Sequence, residues 1–196
     1  MAGKHFSMIR SFHLADLLTL GNGACGITSM FQALRFVNSG LSAHLWLAAG
    51  LVLLAGVLDL LDGRVARWRH TNSPMGREMD SLADVISFGA TPAVIAYAAG
   101  LRTPLDQAML TYFACCGLSR LARYNVTAEQ LSMGSDKVKY FEGTPIPSSI
   151  IPLALLMLAF QMEWLQGPRF GFHLMSLVFV ASGSLMISKT LRIPKL

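Results

Sequence analysis

Charge is what this sequence has least of. Only 14% of its 196 residues are Asp, Glu, Lys or Arg, against about 25% in ordinary soluble domains. With 53% hydrophobic residues, that shortage excludes a soluble globular domain. The apolar runs are too long and continuous for the strands of a membrane barrel. Cysteine is scarce as well. Cys25, Cys115 and Cys116 all lie in apolar runs without a C-x-x-C spacing, which excludes a disulfide framework and leaves them as small packing residues. None of the five histidines stands at ligand spacing to another, so zinc is not expected. His5, His13 and His70 fall at predicted interfaces and His44 and His173 on the opposite side, where they read as surface residues. There is no internal repeat, no low-complexity segment and no small-residue cleavage site after a short apolar core, so no secretory leader is expected. The net charge of +5 would hint at nucleic acid in a soluble protein; here it reads as basic loops held on one side of a bilayer, with no nucleic-acid partner.

What is present is a series of apolar segments. At about 20 residues per span, the spacing predicts an all-α integral membrane domain over 1–196. It would comprise an N-terminal interfacial amphipathic helix over 1–16 and six transmembrane helices, over 17–37, 41–68, 76–100, 103–124, 145–162 and 170–188. In the first segment Phe6, Ile9, Phe12 and Leu14 alternate with Lys4, His5, Arg10 and His13, the pattern of a helix lying in the membrane interface. Gly21, Gly23 and Gly26 permit close helix approach. Gly26, Phe31 and Ala33 are candidates for the seam of a homodimer. Pro92 predicts a kink, and Pro145 and Pro147 suit the first turn of the fifth span. Thr144, Ser148 and Ser149 read as caps of that span. A polar stretch, Asn125 to Thr144, separates spans four and five, and a short basic tail follows span six. Trp46, Trp68 and Trp164 fall near span ends, where aromatic belts sit. This arrangement leaves only Arg35, Arg102 and Arg169 of the 16 Lys and Arg on one face. The positive-inside bias therefore places both termini in the cytosol, in a bacterial inner membrane or its equivalent.

Four aspartates interrupt the apolar pattern. Asp59 and Asp62 are i and i+3 near the end of the second span; Gly76, Asp80 and Asp84 are i, i+4 and i+8 at the start of the third. Each set shares one helix face, and a tight turn joins the two helices antiparallel, so the faces can meet. A carboxylate at bilayer depth costs roughly 2.5–3.5 kcal/mol on insertion scales, and four converging carboxylates cannot all ionise without cations between them. Oxygen-only ligands select a hard divalent metal, Mg²⁺, Mn²⁺ or Ca²⁺. The alternative is ion pairing with Arg64, Arg67, Arg69 and Arg77.

The segment Asp59-Leu-Leu-Asp62-Gly63-Arg64-Val65-Ala66-Arg67, followed after eight residues by Gly76-Arg-Glu-Met-Asp80-Ser-Leu-Ala-Asp84, resembles the signature of the CDP-alcohol phosphotransferase family at all eight fixed positions. That family has an interfacial helix and six transmembrane helices. The resemblance implies transfer of a phosphatidyl-type group from a CDP-linked lipid to an alcohol with release of CMP. It implies one or two divalent ions, Mg²⁺ or Mn²⁺, on Asp59, Asp62, Asp80 and Asp84, with Asp84 also the general base. Gly63, Ala66, Arg67 and Gly76 would lie against the CDP-lipid. Metal would neutralise the pyrophosphate and the leaving group, and a positioned carboxylate assists a weak hydroxyl nucleophile.

Within that family the second half is most similar to the phosphatidylserine synthases, through Cys116-Gly-Leu-Ser-Arg120-Leu-Ala-Arg123-Tyr-Asn125 and Lys139-Tyr-Phe-Glu-Gly-Thr-Pro-Ile-Pro147. The run Leu17-Leu-Thr-Leu-Gly-Asn22 also fits, although Ala15-Asp16 stands where Pro-Asn is usual. The implied substrates are CDP-diacylglycerol and L-serine. Arg120 and Arg123, i and i+3 at the cytoplasmic end of span four, would bind the serine carboxylate and a lipid phosphate, with Asn125, Lys139 and Glu142 as further candidates. Rival readings are the same chemistry with glycerol-3-phosphate or inositol phosphate as acceptor, an archaeal ether lipid as donor, or a divalent-cation transporter. Asp106 and Glu163 lie at the far ends of their spans, so no acidic ladder crosses the bilayer.

Overall fold

The computed structural model describes residues 14–69, 74–133, 140–165, 167, 171–188 and 192–194. Most of the interfacial helix expected over 1–16 lies outside them. The described elements are α1 (Leu14–Ser39), α2 (Ser42–Arg69), α3 (Pro74–Asp84), a π-helical turn (Val85–Ala90), α4 (Thr91–Ala99), α5 (Pro104–Met133), β1 (Tyr140–Glu142), a 3₁₀ turn (Ile146–Ser149), α6 (Ile150–Gln161), α7 (Leu174–Ile187) and β2 (Arg192–Pro194). The fold is helical, as expected. Two segments, Ser42–Val65 and Met75–Ala99, are long and apolar enough to cross a membrane, and Ile146–Gln161 and Leu174–Ile187 are shorter apolar helices.

Two boundaries differ from the sequence reading. The fourth helix does not stop near Tyr124 but continues to Met133, because Ala128, Glu129, Gln130 and Leu131 are good helix formers and the next breaker is Gly134. Nor is the C-terminal segment only a tail. Arg192–Pro194 pairs antiparallel with Tyr140–Glu142, with Phe141 opposite Ile193. Gly143 closes this region at φ +76°, where a Cβ would run into the Met186 carbonyl; only glycine adopts that backbone against α7 without strain.

Packing follows the small residues. Gly40, at φ +69°, donates its N–H to the Phe36 carbonyl and ends α1 as a left-handed cap, so that α2 returns along α1. A Cβ at Gly26 would meet Ser87 Oγ at 2.6 Å and Ser87 Cα at 3.0 Å. Gly26 and fully buried Ala33 therefore face the chain's own interior. They are not on an outer seam with Phe31, which is 59% exposed.

The π-turn is where several helices meet. Its widened backbone buries three consecutive residues, Ser87, Phe88 and Gly89. Ser87 faces Gly26 of α1, Phe88 lies 3.8 Å from a Cβ placed on Gly56 of α2, and the Gly89 Cα is 3.9 Å from one placed on Gly117 of α5. The irregularity that Pro92 introduces is thus a π-turn just upstream, in the place where its missing N–H would otherwise have bonded Phe88. Around this point the core is built from Val52, Phe88, Ile95, Phe113, Leu153, Leu156 and Phe179, all 2% exposed or less. Phe113 and Phe179 join α5 to α7 edge to face at 5.2 Å. Leu17, Leu34, Leu53, Leu60, Leu82 and Ile151 are exposed on the outside, as a lipid-facing surface requires.

At the end of α5 remote from the aspartate motif, Asp106 is fully buried and saturated. Oδ1 accepts the His173 N–H at 2.9 Å and the Ser176 hydroxyl at 2.5 Å; Oδ2 contacts His173 Nδ1 at 2.7 Å and accepts the Thr103 N–H at 3.1 Å. His173 is therefore a buried partner and not the surface residue expected. A buried carboxylate requires such donors, and all but the Thr103 N–H come from the start of α7. Replacing Asp106 with Ala orphans them, and hydrogen bonds to a charged group are worth about 1.5–3 kcal/mol. Asp106→Ala is expected to lower the unfolding temperature in detergent by several degrees while Asp106→Asn loses less; equal stability of all three proteins would contradict the latch.

Candidate active site

α2 and the segment α3–π-turn run antiparallel, and the motif occupies their adjoining ends. Asp59, Asp62 and Asp80 converge so that one oxygen of each lies within 4.8 Å of the others. Asp62 is 5% exposed and Asp84 7%; Asp59 and Asp80 are half-buried. Asp84 lies beyond this triad, one turn deeper along the helix that carries Asp80. All four carboxylates are within electrostatic reach of one another. Among the described residues none of the four forms an ion pair, and Arg64 and Arg77 are exposed.

Three clustered carboxylates without counter-charge among the described side chains repel when ionised, and a cation among them relieves that repulsion. Asp80 Oδ1 is buried and has no hydrogen-bond partner. An all-oxygen set with an unfilled acceptor fits a hard divalent ion.

Gly63 borders this space: a Cβ there would meet nothing within 4 Å. The backbone of Ala66 and Arg67 continues α2 past it, and Gly76 sits in the first turn of α3. On α5, Arg120 and Arg123 part company. Arg120 is half-buried with Nε unpartnered and lies within electrostatic reach of Asp84. Arg123 donates from NH1 to the Ile187 carbonyl at 3.3 Å, at the end of α7. Asn125 turns toward α3, its amide meeting the Ser81 hydroxyl at 3.0 Å and the Glu78 carboxylate at 3.3 Å. The side chains of Lys139 and Glu142 lie outside what the structure describes.

Sequence reasoning missed the contribution of α1. Thr19 donates to Asp62 Oδ2 at 2.8 Å and Asn22 donates from Nδ2 to Asp84 Oδ1 at 3.1 Å. Ser87 Oγ donates to the Asn22 carbonyl at 2.9 Å and Thr91 to the Gly26 carbonyl at 3.2 Å, locking α1 onto the π-turn. The signal was available: Asp16, Thr19, Asn22, Gly26 and Ser29 recur every three to four residues in an apolar run, which marks a buried polar stripe. Glu78 and Ser81 were also missed, as they fall between fixed positions of the motif.

Known proteins bear on this geometry. The chain is 44% identical over 203 aligned positions to the CDP-diacylglycerol–serine O-phosphatidyltransferase of Saccharomyces cerevisiae, covering 97% of this chain and 74% of the yeast protein. It is 35% identical over 147 positions to the protein of that name from Bacillus subtilis, covering 74% and 75% of the two chains. It is 34% identical over 145 positions to the one from Mycobacterium tuberculosis, of which it spans half the length. The family model for CDP-alcohol phosphatidyltransferases matches residues 12–186. Because that match takes in α1, both halves of the aspartate motif and the arginines of α5, the chain belongs to the CDP-alcohol phosphatidyltransferase family.

Proposed function

We propose that this protein is a membrane-embedded enzyme that transfers the phosphatidyl group of CDP-diacylglycerol to the hydroxyl of L-serine, giving phosphatidylserine and CMP. The observation that carries the reading is the convergence of Asp59, Asp62 and Asp80 within 4.8 Å at the adjoining ends of two apolar helices. Serine as acceptor is supported by relatives of that name in yeast and bacteria.

Asp59, Asp62 and Asp80, with Asp84 at the edge, would hold one or two ions of Mg²⁺ or Mn²⁺. The ion would supply charge neutralisation at the pyrophosphate and at the leaving CMP. Gly63 leaves room for the nucleotide to lie against α2, with Ala66, Arg67 and Gly76 as neighbours. An apolar groove of about 570 Å³ begins at Val85, beside Asp84, and runs between α4 and α5 past Ala93, Val94, Leu110 and Leu118; it suits the lipid part of the donor. Asp84 takes the proton of the serine hydroxyl as it attacks phosphorus in line. Arg120, facing Asp84, binds the serine carboxylate. Arg123 is engaged with α7 and serves the site by placing that helix end. Asn125 borders the acceptor side.

The chain is read as one domain over 1–196. It would have six spans, a cytoplasmic interfacial helix at the start, and the aspartates at the cytoplasmic face of a bacterial-type inner membrane or the corresponding face in another cell. It would act as a homodimer through a surface other than Gly26 and Ala33. The donor arrives laterally from the bilayer and serine from the cytosol.

Purified protein incubated with CDP-diacylglycerol and a panel of alcohols is expected to release CMP with serine and far less with glycerol-3-phosphate or inositol phosphate. EDTA should abolish release and Mn²⁺ or Mg²⁺ restore it; metal-independent turnover contradicts the site assignment. Asp84→Asn is expected to lower kcat by about 10³-fold or more while CDP-lipid binding stays measurable, and near-normal turnover would remove its role as base. Arg120→Ala is expected to raise the serine KM about tenfold or more, the loss of one charge-assisted contact. Arg123→Ala should affect stability more than KM; the reverse pattern would exchange their roles.

A further inference from the structure

We propose that Asn22 is a positioning residue for Asp84, so that α1, which contributes nothing to the eight-residue motif, sets which oxygen of the base faces the acceptor. The inference rests on the reading of Asp84 as base. Asn22 is 0% exposed. Its Nδ2 donates to Asp84 Oδ1 at 3.1 Å, while its own Oδ1 is buried without a partner. With Asp84 ionised, as a base must be, the amide cannot be turned to satisfy that oxygen, because its carbonyl would then face a carboxylate. A side chain present for packing alone would be better served by leucine, of similar volume and with no unfilled acceptor of its own. What the position requires is an N–H aimed at Asp84, and the unpaired oxygen is tolerated to provide it; buried unsatisfied groups of this kind collect at functional sites.

The backbone is fixed as firmly as the side chain. Ser87 Oγ donates to the Asn22 carbonyl at 2.9 Å, and a Cβ on the neighbouring Gly26 would strike Ser87. Asn22 and Asp84 thus belong to one rigid contact between α1 and the π-turn. One N–H on Oδ1 leaves Oδ2 to receive the proton of the attacking hydroxyl.

Thr19, one turn earlier, gives an internal comparison. Its hydroxyl reaches Asp62 Oδ2 at 2.8 Å and the Ala15 carbonyl at 3.1 Å. Asp62 belongs to the convergent triad and Asp84 does not, so the two contacts have different consequences. Losing the Thr19 contact perturbs cation binding. Losing the Asn22 contact perturbs the chemical step first, because Asp84 stands only at the edge of the ion-holding set.

The test uses the purified full chain and three readouts: CMP release with serine, Mn²⁺ binding followed by electron paramagnetic resonance, and thermal unfolding. Asn22→Leu is expected to unfold within a few degrees of the wild-type temperature, since the acceptor it empties on Asp84 offsets the unfilled one it removes at Asn22, and to bind Mn²⁺ normally. It should lose about tenfold or more in kcat with the serine KM within about twofold. Asn22→Ser, which returns a donor, should recover part of that loss. Thr19→Val should weaken Mn²⁺ binding about threefold or more. A kcat for Asn22→Leu within twofold of wild type overturns the proposal. So does a fall in kcat matched by lost Mn²⁺ binding or by an unfolding temperature lowered by more than a few degrees, which marks a structural role. If Asn22→Leu does not fold, Asn22→Ala against Asn22→Ser decides: partial recovery in Ser supports positioning and equal loss overturns it. Wild-type protein that releases no CMP with serine would instead overturn the functional reading.

Discussion

Among the described side chains, the repulsion between Asp59, Asp62 and Asp80 is met by geometry and not by counter-charge. No arginine side chain described in the structure bridges them; Asp62 accepts from the Gly63 backbone, and two side chains of another helix donate to the motif, Thr19 to Asp62 and Asn22 to Asp84. A cluster built this way is poorly compensated until a cation arrives, and its ligands must be held in place by everything around them. That need explains the close approach of α1 at Gly26, the buried stripe of hydroxyls and amides along it, and the packing of Phe88 between α2 and the rest of the bundle.

The two ends of the bundle follow opposite rules. At the remote end, Asp106 has every acceptor filled by Thr103, His173 and Ser176, and Arg102 donates to the Tyr97 and Ala98 carbonyls at 3.2 and 3.0 Å, closing the end of α4. At the motif end, buried acceptors on Asp80 and Asn22 and a guanidinium nitrogen of Arg120 are left over. The saturated end fixes how α5 and α7 start. The unsaturated end is where foreign atoms can complete the bonding.

Much of this was legible in the sequence because the motif constrains itself. Helical phasing alone placed Asp59 and Asp62 on one face and Asp80 on another that meets it, and the structure brings them together. The rise and fall of hydropathy marked where the described helices lie, apart from the extension of α5 to Met133. What sequence could not supply was partner choice across helices. Arg120 and Arg123 look equivalent at i and i+3, yet one lies within electrostatic reach of Asp84 and the other donates to the carbonyl of Ile187, a difference fixed by where α7 ends. His173 read as a surface residue because its partner, Asp106, is 67 positions away. Gly26 and Ala33 read as an external seam because a small residue signals close approach without saying to what.

The turn Val85–Ala90 gives the site a hidden dependence on phase. A π-turn holds one residue more than the α-helical turn it replaces, and one residue of α-helix is about 100° of rotation. Were Val85–Ala90 wound as ordinary α-helix while α4 stayed packed, the segment carrying Asp80 and Asp84 would face about a quarter-turn away from α2. Asp80 and Asp84 are therefore aimed by an irregularity that contains neither of them. In this helix, angular registration is set by the widened loop of backbone at Ser87–Gly89 as much as by the aspartates whose spacing first drew attention to it.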